Sequence, residues 1–282
     1  MPPNPHNPHA KIGLLAGGGD LPRLLIQACA RAGREVFVIA FKGQCDVATV
    51  DGVDHAWVRL GASGTAIEEL RAHGAFQLVM AGRIHKPKMS QLMPDARTLK
   101  FLLGGALNKG DDSLLKAIIQ NLEAEEGFTF VGVHDVMPDL LAPEGVLGHV
   151  LPDEDGAKAM HVAVHAALDL GAQDLGQAAV AGAGGVIALE DRNGTDAMLT
   201  GLKGNAAAKG CVLAKMCKPG QERRADLPTI GVATIEHGAA IGLKGVVVEA
   251  GASLIVDRAA VIEAADRLGL FLIGAKPFEA RP

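Results

Sequence analysis

Tyrosine is absent from the 282 residues, tryptophan occurs once, and the net charge of -5 leaves no basic excess. Without a cationic footprint or aromatic platforms for stacking bases, nucleic acid is excluded as a partner. Cysteine is sparse: Cys29, Cys45, Cys211 and Cys217 form no C-x-x-C pair and no zinc-finger spacing. Four are too few to staple a chain of this length, so they read as reduced core residues of a cytoplasmic protein. Long apolar runs are missing too. The start, "MPPNPHNPHA", is polar and proline-rich, and the first apolar run breaks at "GGGD", which predicts neither a signal peptide nor a membrane span. G-x-S-x-G does not occur, and His161 and His165, four apart, lack the glutamate of H-E-x-x-H between them. Covalent nucleophilic catalysis therefore has no sequence support, and the two histidines are expected on an exposed helix face.

What is present is an apolar, globular composition, 49% hydrophobic and 21% charged, enough to bury two cores. From Lys11, short apolar runs alternate with helical stretches, and "KIGLLA", "EVFVIAF" and "FQLVMAG" read as strands of a parallel sheet covered by helices. A helix over about 111–126 and a strand "FTFVGV" close this Rossmann-like domain, placed at 11–133. Residues 134–154, with Pro138, Pro143 and Pro152, permit neither a long helix nor a central strand and read as a linker. The remainder, 155–282, is expected to be a mixed α/β domain with more strands per helix. A helix over about 155–170 opens it, "QAAVAGAGGVIALE" follows as two strands meeting at a glycine-rich turn, and "CVLAKM", "GVVVEA", "SLIVD" and "LFLIG" supply further strands.

Several segments carry candidate chemistry. Gly17, Gly18, Gly19 and Asp20 lie between the first strand and first helix, where backbone N–H groups and the helix dipole favour an anion. Neither a dinucleotide fingerprint nor a Walker pattern is completed there, and a tight turn with Asp20 as cap is the competing reading. Gly82, Arg83 and Lys86 follow a strand at the carboxyl edge, where α/β sheets bind ligands, or form a surface turn. Asp111 and Asp112 stand at a helix start and read first as caps. Glu190 ends a strand, and Thr195 and Asp196 open a helix after Gly194; such acids could hold a divalent cation or simply cap. Lys215 lies in an otherwise apolar strand, where it either snorkels to the strand end or offers a point charge to phosphate.

The segment "GQERRADLP" crowds Gln221, Glu222, Arg223, Arg224 and Asp226 between Pro219 and Pro228. A solvated charged loop is the plain reading of its composition. The alternative is a site: cationic donors clamp phosphate oxygens, while a carboxylate repels phosphate unless a divalent metal bridges them. Acid, base and metal together are what hydrolysis of a phosphate anhydride requires.

"GGGDLP" at 17–22, "AGRIHKP" at 81–87, "KGDDSLL" at 109–115, "DLGQA" at 174–178, "GTDAML" at 194–199, "AKMCKPGQERRADLPTIG" at 214–231 and "GLFLIG" at 269–274 occur in that order. With them the chain resembles the LpxI-type UDP-2,3-diacylglucosamine pyrophosphatases of lipid A biosynthesis from about Lys11 onward. The resemblance implies a cytoplasmic enzyme peripheral to the inner membrane, a homodimer of two-domain chains enclosing the substrate between domains. It would hydrolyse UDP-2,3-diacylglucosamine to UMP and 2,3-diacylglucosamine 1-phosphate (lipid X) with Mg²⁺. Carried onto this chain, the family's acidic residue ahead of the "LP" pair is Asp226, with Gln221 and Arg224 beside it. Together with the residue chemistry above, the expected site has Asp226 as the principal metal or water-positioning carboxylate and Glu190 or Asp196 as helpers. Lys215, Gln221 and Arg224 would bind and neutralise the diphosphate. Gly17, Gly18, Gly19, Asp20, Gly82, Arg83, Lys86, Asp111, Asp112, Gln177, Gly194 and Thr195 would bind the rest of the substrate. The chain departs from the family pattern at Asn193, where an acid is commoner, and at Glu222, where Asp is. The rivals are a non-catalytic nucleotide-sugar or lipid-binding protein and a metal hydrolase of another nucleotide sugar.

Overall fold

In the computed structural model, residues 9–85, 93–103 and 111–277 are described, all but 102, 111 and 112 with their side chains. The chain folds as two units: Met1–Pro138 together with Glu222–Asp226, and Asp139–Gln221 together with Leu227–Pro282. A parallel α/β unit and a mixed one is the architecture the sequence pattern predicts.

The first unit is a five-stranded parallel sheet in the order β3-β2-β1-β4-β5. Its strands are β1 (Ile12–Ala16), β2 (Val36–Phe41), β3 (His55–Val58), β4 (Gln77–Ala81) and β5 (Thr129–Phe130). β1 is buried at every residue, as a strand covered on both faces must be. Helices α1 (Asp20–Arg31), α2 (Ser63–Ala72), α3 (Ala96–Leu103) and α4 (Asp111–Ala124) lie between strands in the chain. Leu15, Phe37, Ile39, Leu70, Leu78, Ile119 and Phe128 form one apolar cluster of this unit. Strand order reverses between β1 and β4, which pair in register with Ala16 opposite Ala81. The "FTFVGV" run is shorter as a strand than its composition implies: β5 has two residues, and α5 (Val133–Val136) follows. Helix α3 lies outside the sequence reading; Asp95 caps it, its Oδ1 accepting from Thr98 N at 2.7 Å while Oδ2 accepts from Gly64 N at 2.7 Å.

The second unit is a six-stranded sheet in the order β6-β13-β11-β9-β7-β8. These are β6 (Gly145–Val146), β7 (Ala178–Gly182), β8 (Gly185–Leu189), β9 (Val212–Lys215), β11 (Gly245–Glu249) and β13 (Phe271–Ala275); β10 (Thr229–Ile230) and β12 (Leu254–Ile255) pair separately. β9, β11 and β13 run parallel, while β6 and β7 are antiparallel to their neighbours. Alternation sends each strand's side chains into two cores. Val212 and Ala214 pack with Ala159, Ala163 and Ala167 of α6 (Glu154–Ala172). Leu213 packs instead with Leu199 of α7 (Thr195–Gly201), Ile235 of α8 (Val232–Ala240) and Val261 of α9 (Arg258–Leu268). The alanine stripe of α6 lets that helix approach the sheet closely. Asp153 caps α6, accepting from Gly156 N at 2.7 Å. Helix α8 also lies outside the sequence reading, because Val232, Thr234 and Ile235 are β-branched and Gly238 interrupts the run.

Candidate functional site: a charged loop and a glycine crossing

At the strand-order reversal of the first unit, the two loops that would frame a ligand crevice are bonded to one another. Gly18 N donates to Arg83 O and Arg83 N to Gly18 O, both at 2.9 Å, and Gly17 N donates to Ala81 O at 2.9 Å. A Cβ on Gly17 would stand 2.4 Å from Arg83 O, one on Gly18 2.8 Å from Gln44 O, and one on Gly82, whose φ is +92°, 2.7 Å from Gly18 O. Close backbone approach therefore accounts for these three glycines. Gly19 differs: its φ is +88°, nothing lies within 4 Å of a Cβ there, and its N–H donates to Asp46 Oδ2 at 3.1 Å. The amides of Gly17, Gly18 and Gly19 thus already have acceptors. Asp20 is not the helix cap expected of it; Gly19 holds that position without a side-chain bond, and Asp20 pairs with Arg23 at 3.2 Å. Lys86 lies outside the described residues. Asp111 and Asp112 begin α4, but their side chains are not among those described.

In the second unit, the end of β8 and the end of β9 share a polar network. Glu190 is 8% exposed; its Oε1 accepts from Thr195 Oγ1 at 2.5 Å and its Oε2 from Gln177 N at 2.8 Å. Both oxygens are engaged in tying two strands to the start of α7. Gly194, φ +85°, is the cap of α7. Asp196 is half exposed and lies 3.8 Å from His237 Nδ1. Asn193 closes a turn on Asp191, its backbone N donating to Oδ1 at 2.8 Å and Nδ2 to Oδ2 at 2.9 Å. Lys215 reaches past the end of β9 to donate to Thr229 O at 3.1 Å.

The charged loop is not simply solvated. Gln221 is 7% exposed, a correction to the reading of 221–226 as a surface loop. Its Oε1 accepts from Lys218 N at 3.0 Å and from Cys217 Sγ at 3.3 Å, and its Nε2 donates to Gln177 Oε1 at 3.4 Å. The amide is consumed by internal bonds because a buried one left unbonded would cost about 1–3 kcal/mol. From Glu222 to Asp226 the chain joins the first unit. There Ala225 packs against that unit's apolar cluster, and Ala225 N and Asp226 N both donate to Glu222 O, at 3.0 and 2.9 Å.

Arg224 is held by two carboxylates. Its Nε and Nη2 donate to Glu222 Oε1 and Oε2 at 2.9 and 3.0 Å, and its Nη1 donates to Glu123 Oε1 at 2.7 Å. Hydrogen bonding to Glu222 pushes the guanidinium above its ordinary value, and the Arg224 bonds hold the Glu222 carboxyl below the usual carboxylate range. Glu123, 101 positions away and one of several acids on α4, carries no signal in the sequence. Glu249, whose Oε2 accepts from Cys217 N at 2.9 Å beside Gln221, is equally invisible there.

Among the described residues no three His, Cys, Asp or Glu side chains gather as a metal cage. Mg²⁺ seldom uses one; it is held by one or two carboxylates, water and substrate phosphates. Asp226, a partly exposed carboxylate, is a donor of the chemical type such a site uses. Glu190 fits it less well, since protein donors already occupy both its oxygens. The thiols of Cys29, Cys45 and Cys211 are pushed up by burial, which keeps them protonated and unreactive.

The LpxI N-terminal domain matches residues 11–140 and the LpxI C-terminal domain residues 143–273. The UDP-2,3-diacylglucosamine pyrophosphatase LpxI of Caulobacter vibrioides is 45% identical over 278 residues, covering 95% of this chain and 99% of that protein. Two domain families matched end to end, and a relative aligned over nearly its whole length, place the chain in the LpxI family.

Proposed function

We propose that the protein hydrolyses the diphosphate of UDP-2,3-diacylglucosamine, releasing UMP and 2,3-diacylglucosamine 1-phosphate. The observation that carries this reading is the 45% identity maintained over 99% of a relative named for that activity. Water forms one new P–O bond as the bridging P–O bond breaks, the two phosphates leave as separate monoesters, and the proton goes to solvent.

Asp226 is the carboxylate proposed to hold Mg²⁺ and orient the water. The bound ion would neutralise diphosphate oxygens and lower the pKa of the attacking water. Lys215 is proposed as a cation for diphosphate oxygens, and buried Gln221, tied to Gln177 and Lys218, keeps the turn after β9 in one shape. Gly19 and Arg83, at the strand-order reversal, are proposed for the nucleotide end, since that edge is where open α/β sheets take ligands.

Peripheral association with the inner membrane and a cytoplasmic location belong to the same proposal. No helix among the described residues is long and apolar enough to cross a membrane, whereas Leu99 and Leu103, four apart on α3, are exposed at 45% and 71%. Such a face suits acyl chains or a lipid surface. A homodimer is proposed as well; β8 ends the six-stranded sheet with Val186 and Leu189 exposed, a strand edge open to a second copy.

The test is incubation with UDP-2,3-diacylglucosamine and Mg²⁺. UMP should appear, stop on chelation and resume on adding Mg²⁺. No UMP despite binding would favour a non-catalytic carrier; equal turnover of UDP-glucosamine would favour a hydrolase of other nucleotide sugars. Each buried methylene is worth about 0.8 kcal/mol, so removal of both acyl chains should weaken productive binding by several powers of ten.

A further inference from the structure

Resting on the assignment of hydrolysis to Asp226, we infer that Glu123 is a positioning residue for the reaction. Through Arg224 it fixes the 222–226 loop on the first unit, and Arg224 is that loop's fastening rather than a ligand of the diphosphate.

Three observations converge. The first is stoichiometry of charge: one guanidinium meets two carboxylates, with Nε and Nη2 on Glu222 and Nη1 on Glu123. Lys116 also lies near enough to act on Glu222, so the charges balance within the cluster, and a phosphate would have to displace a carboxylate to bond the Arg224 fork. The second is anchorage. Glu123 Oε1 also accepts from Phe130 N at 3.0 Å, so one oxygen joins the end of α4, the strand β5 and the loop. Phe130 and Ala225 belong to the same apolar cluster, so the polar clamp and the packing hold the loop at the same place. The third is the short path to the proposed carboxylate. Asp226 N donates to Glu222 O at 2.9 Å, so the residue whose side chain grips Arg224 also sets the backbone of Asp226. A planar fork bound at three nitrogens determines orientation as well as position.

A phosphate clamp and a fastening predict opposite responses to one neutral substitution. If Arg224 gripped the diphosphate and Glu123 merely competed for it, Glu123→Gln would free the cation, lower KM and raise kcat/KM. If Glu123 positions the loop, the same change loosens Asp226 and lowers kcat about 10²-fold, the scale of a misplacement near 1 Å. KM should then stay within about threefold, because the lost contact acts on the transition state rather than on ground-state binding.

The experiment compares wild type, Glu123→Gln, Glu123→Asp, Arg224→Gln, the Glu123→Gln/Arg224→Gln double variant, Asp226→Ala, and Glu125→Gln, an exposed acid on the same stretch, as control. Expected are a kcat loss in Glu123→Gln, no further loss in the double variant beyond Arg224→Gln, an unchanged control, and recovery of most of the rate in Glu123→Asp. Glutamine still offers an oxygen to Phe130 N; should Glu123→Gln unfold, Arg224→Lys, which retains charge but loses the fork, must show the same loss in kcat at similar KM. An unchanged or raised kcat/KM in Glu123→Gln, or additive losses in the double variant, would overturn the inference. Turnover surviving in Asp226→Ala would overturn the underlying reading instead, so the two failures are told apart.

Discussion

Two loops of this chain have opposite compositions: glycines after β1, and charges after β9. Folding uses them in opposite ways. At Gly17, Gly18 and Gly82 the chain has no side chains because two backbones cross where a Cβ would stand under 3 Å from a carbonyl oxygen. At Glu222–Asp226 the chain is heavily substituted, and the charges anchor the loop to residues far away in sequence. Glycine there is an answer to crowding, whereas the acids and arginines do what local packing cannot, holding a loop that belongs to no strand or helix.

The comparison breaks most visibly at Asp226. Replacement by Ala should reduce turnover on the order of 10³-fold or more, as loss of a transition-state charge contact does, while the melting temperature stays near wild type because no core is opened. Product formation and thermal melting are measured together, with Asp191→Ala as the acid control; near-normal turnover would remove Asp226 from the chemistry.

Gly82→Ala should behave in the reverse sense. A methyl group 2.7 Å from Gly18 O at φ +92° should destabilise the first unit by about 2–3 kcal/mol, read as a lower urea midpoint. If stability held and only substrate affinity fell, Gly82 would serve binding rather than the backbone crossing.

Glu190→Gln sharpens the contrast between acids used for building and acids used for reaction. Loss of the charge that accepts from Thr195 and Gln177 should cost about 1–2 kcal/mol, with kcat nearly unaffected at temperatures where the protein is folded. A selective fall in Mg²⁺ dependence would instead make Glu190 a metal ligand.

The smallest effect is expected at Asp95. Burial alone would raise its carboxyl, but bonds from Thr98, Gly64 and Arg97 outweigh that and hold it below the usual range. A lowered folded value means that its contribution is present above the ordinary carboxylate value of about 4 and is lost as the pH falls through the folded one. Asp95→Ala should therefore cost about 1 kcal/mol at neutral pH, and the gap between variant and wild-type midpoints should close as the pH is lowered below about 4.

Periodicity makes most of the fold legible. Apolar runs separated by helical stretches mark β1, β2 and β4, and the glycine turn marks the β7–β8 hairpin. Helices α3 and α8 escape because they are short and stabilised by caps and neighbours; the β-branched residues of α8 even argue against it. The order of motifs leads to the charged segment, and nothing local discloses that Gln221 is buried or that Arg224 has a partner on α4. Such facts depend on what meets across sequence, and a hydrophobic pattern has no term for it.

Residues 222–226 complete the first unit although they follow most of the second in the chain. During synthesis, then, the amino-terminal sheet can assemble early but remains without Ala225 against its apolar cluster and without Arg224 as counter-ion for Glu123 until the ribosome has passed Asp226. Domains that are contiguous in sequence can mature one after another as they emerge; this one cannot. A nascent chain halted near residue 140 should hold an unfinished first unit, protease-sensitive at α4 and β5, and the last step of its maturation should keep time with the folding of the other.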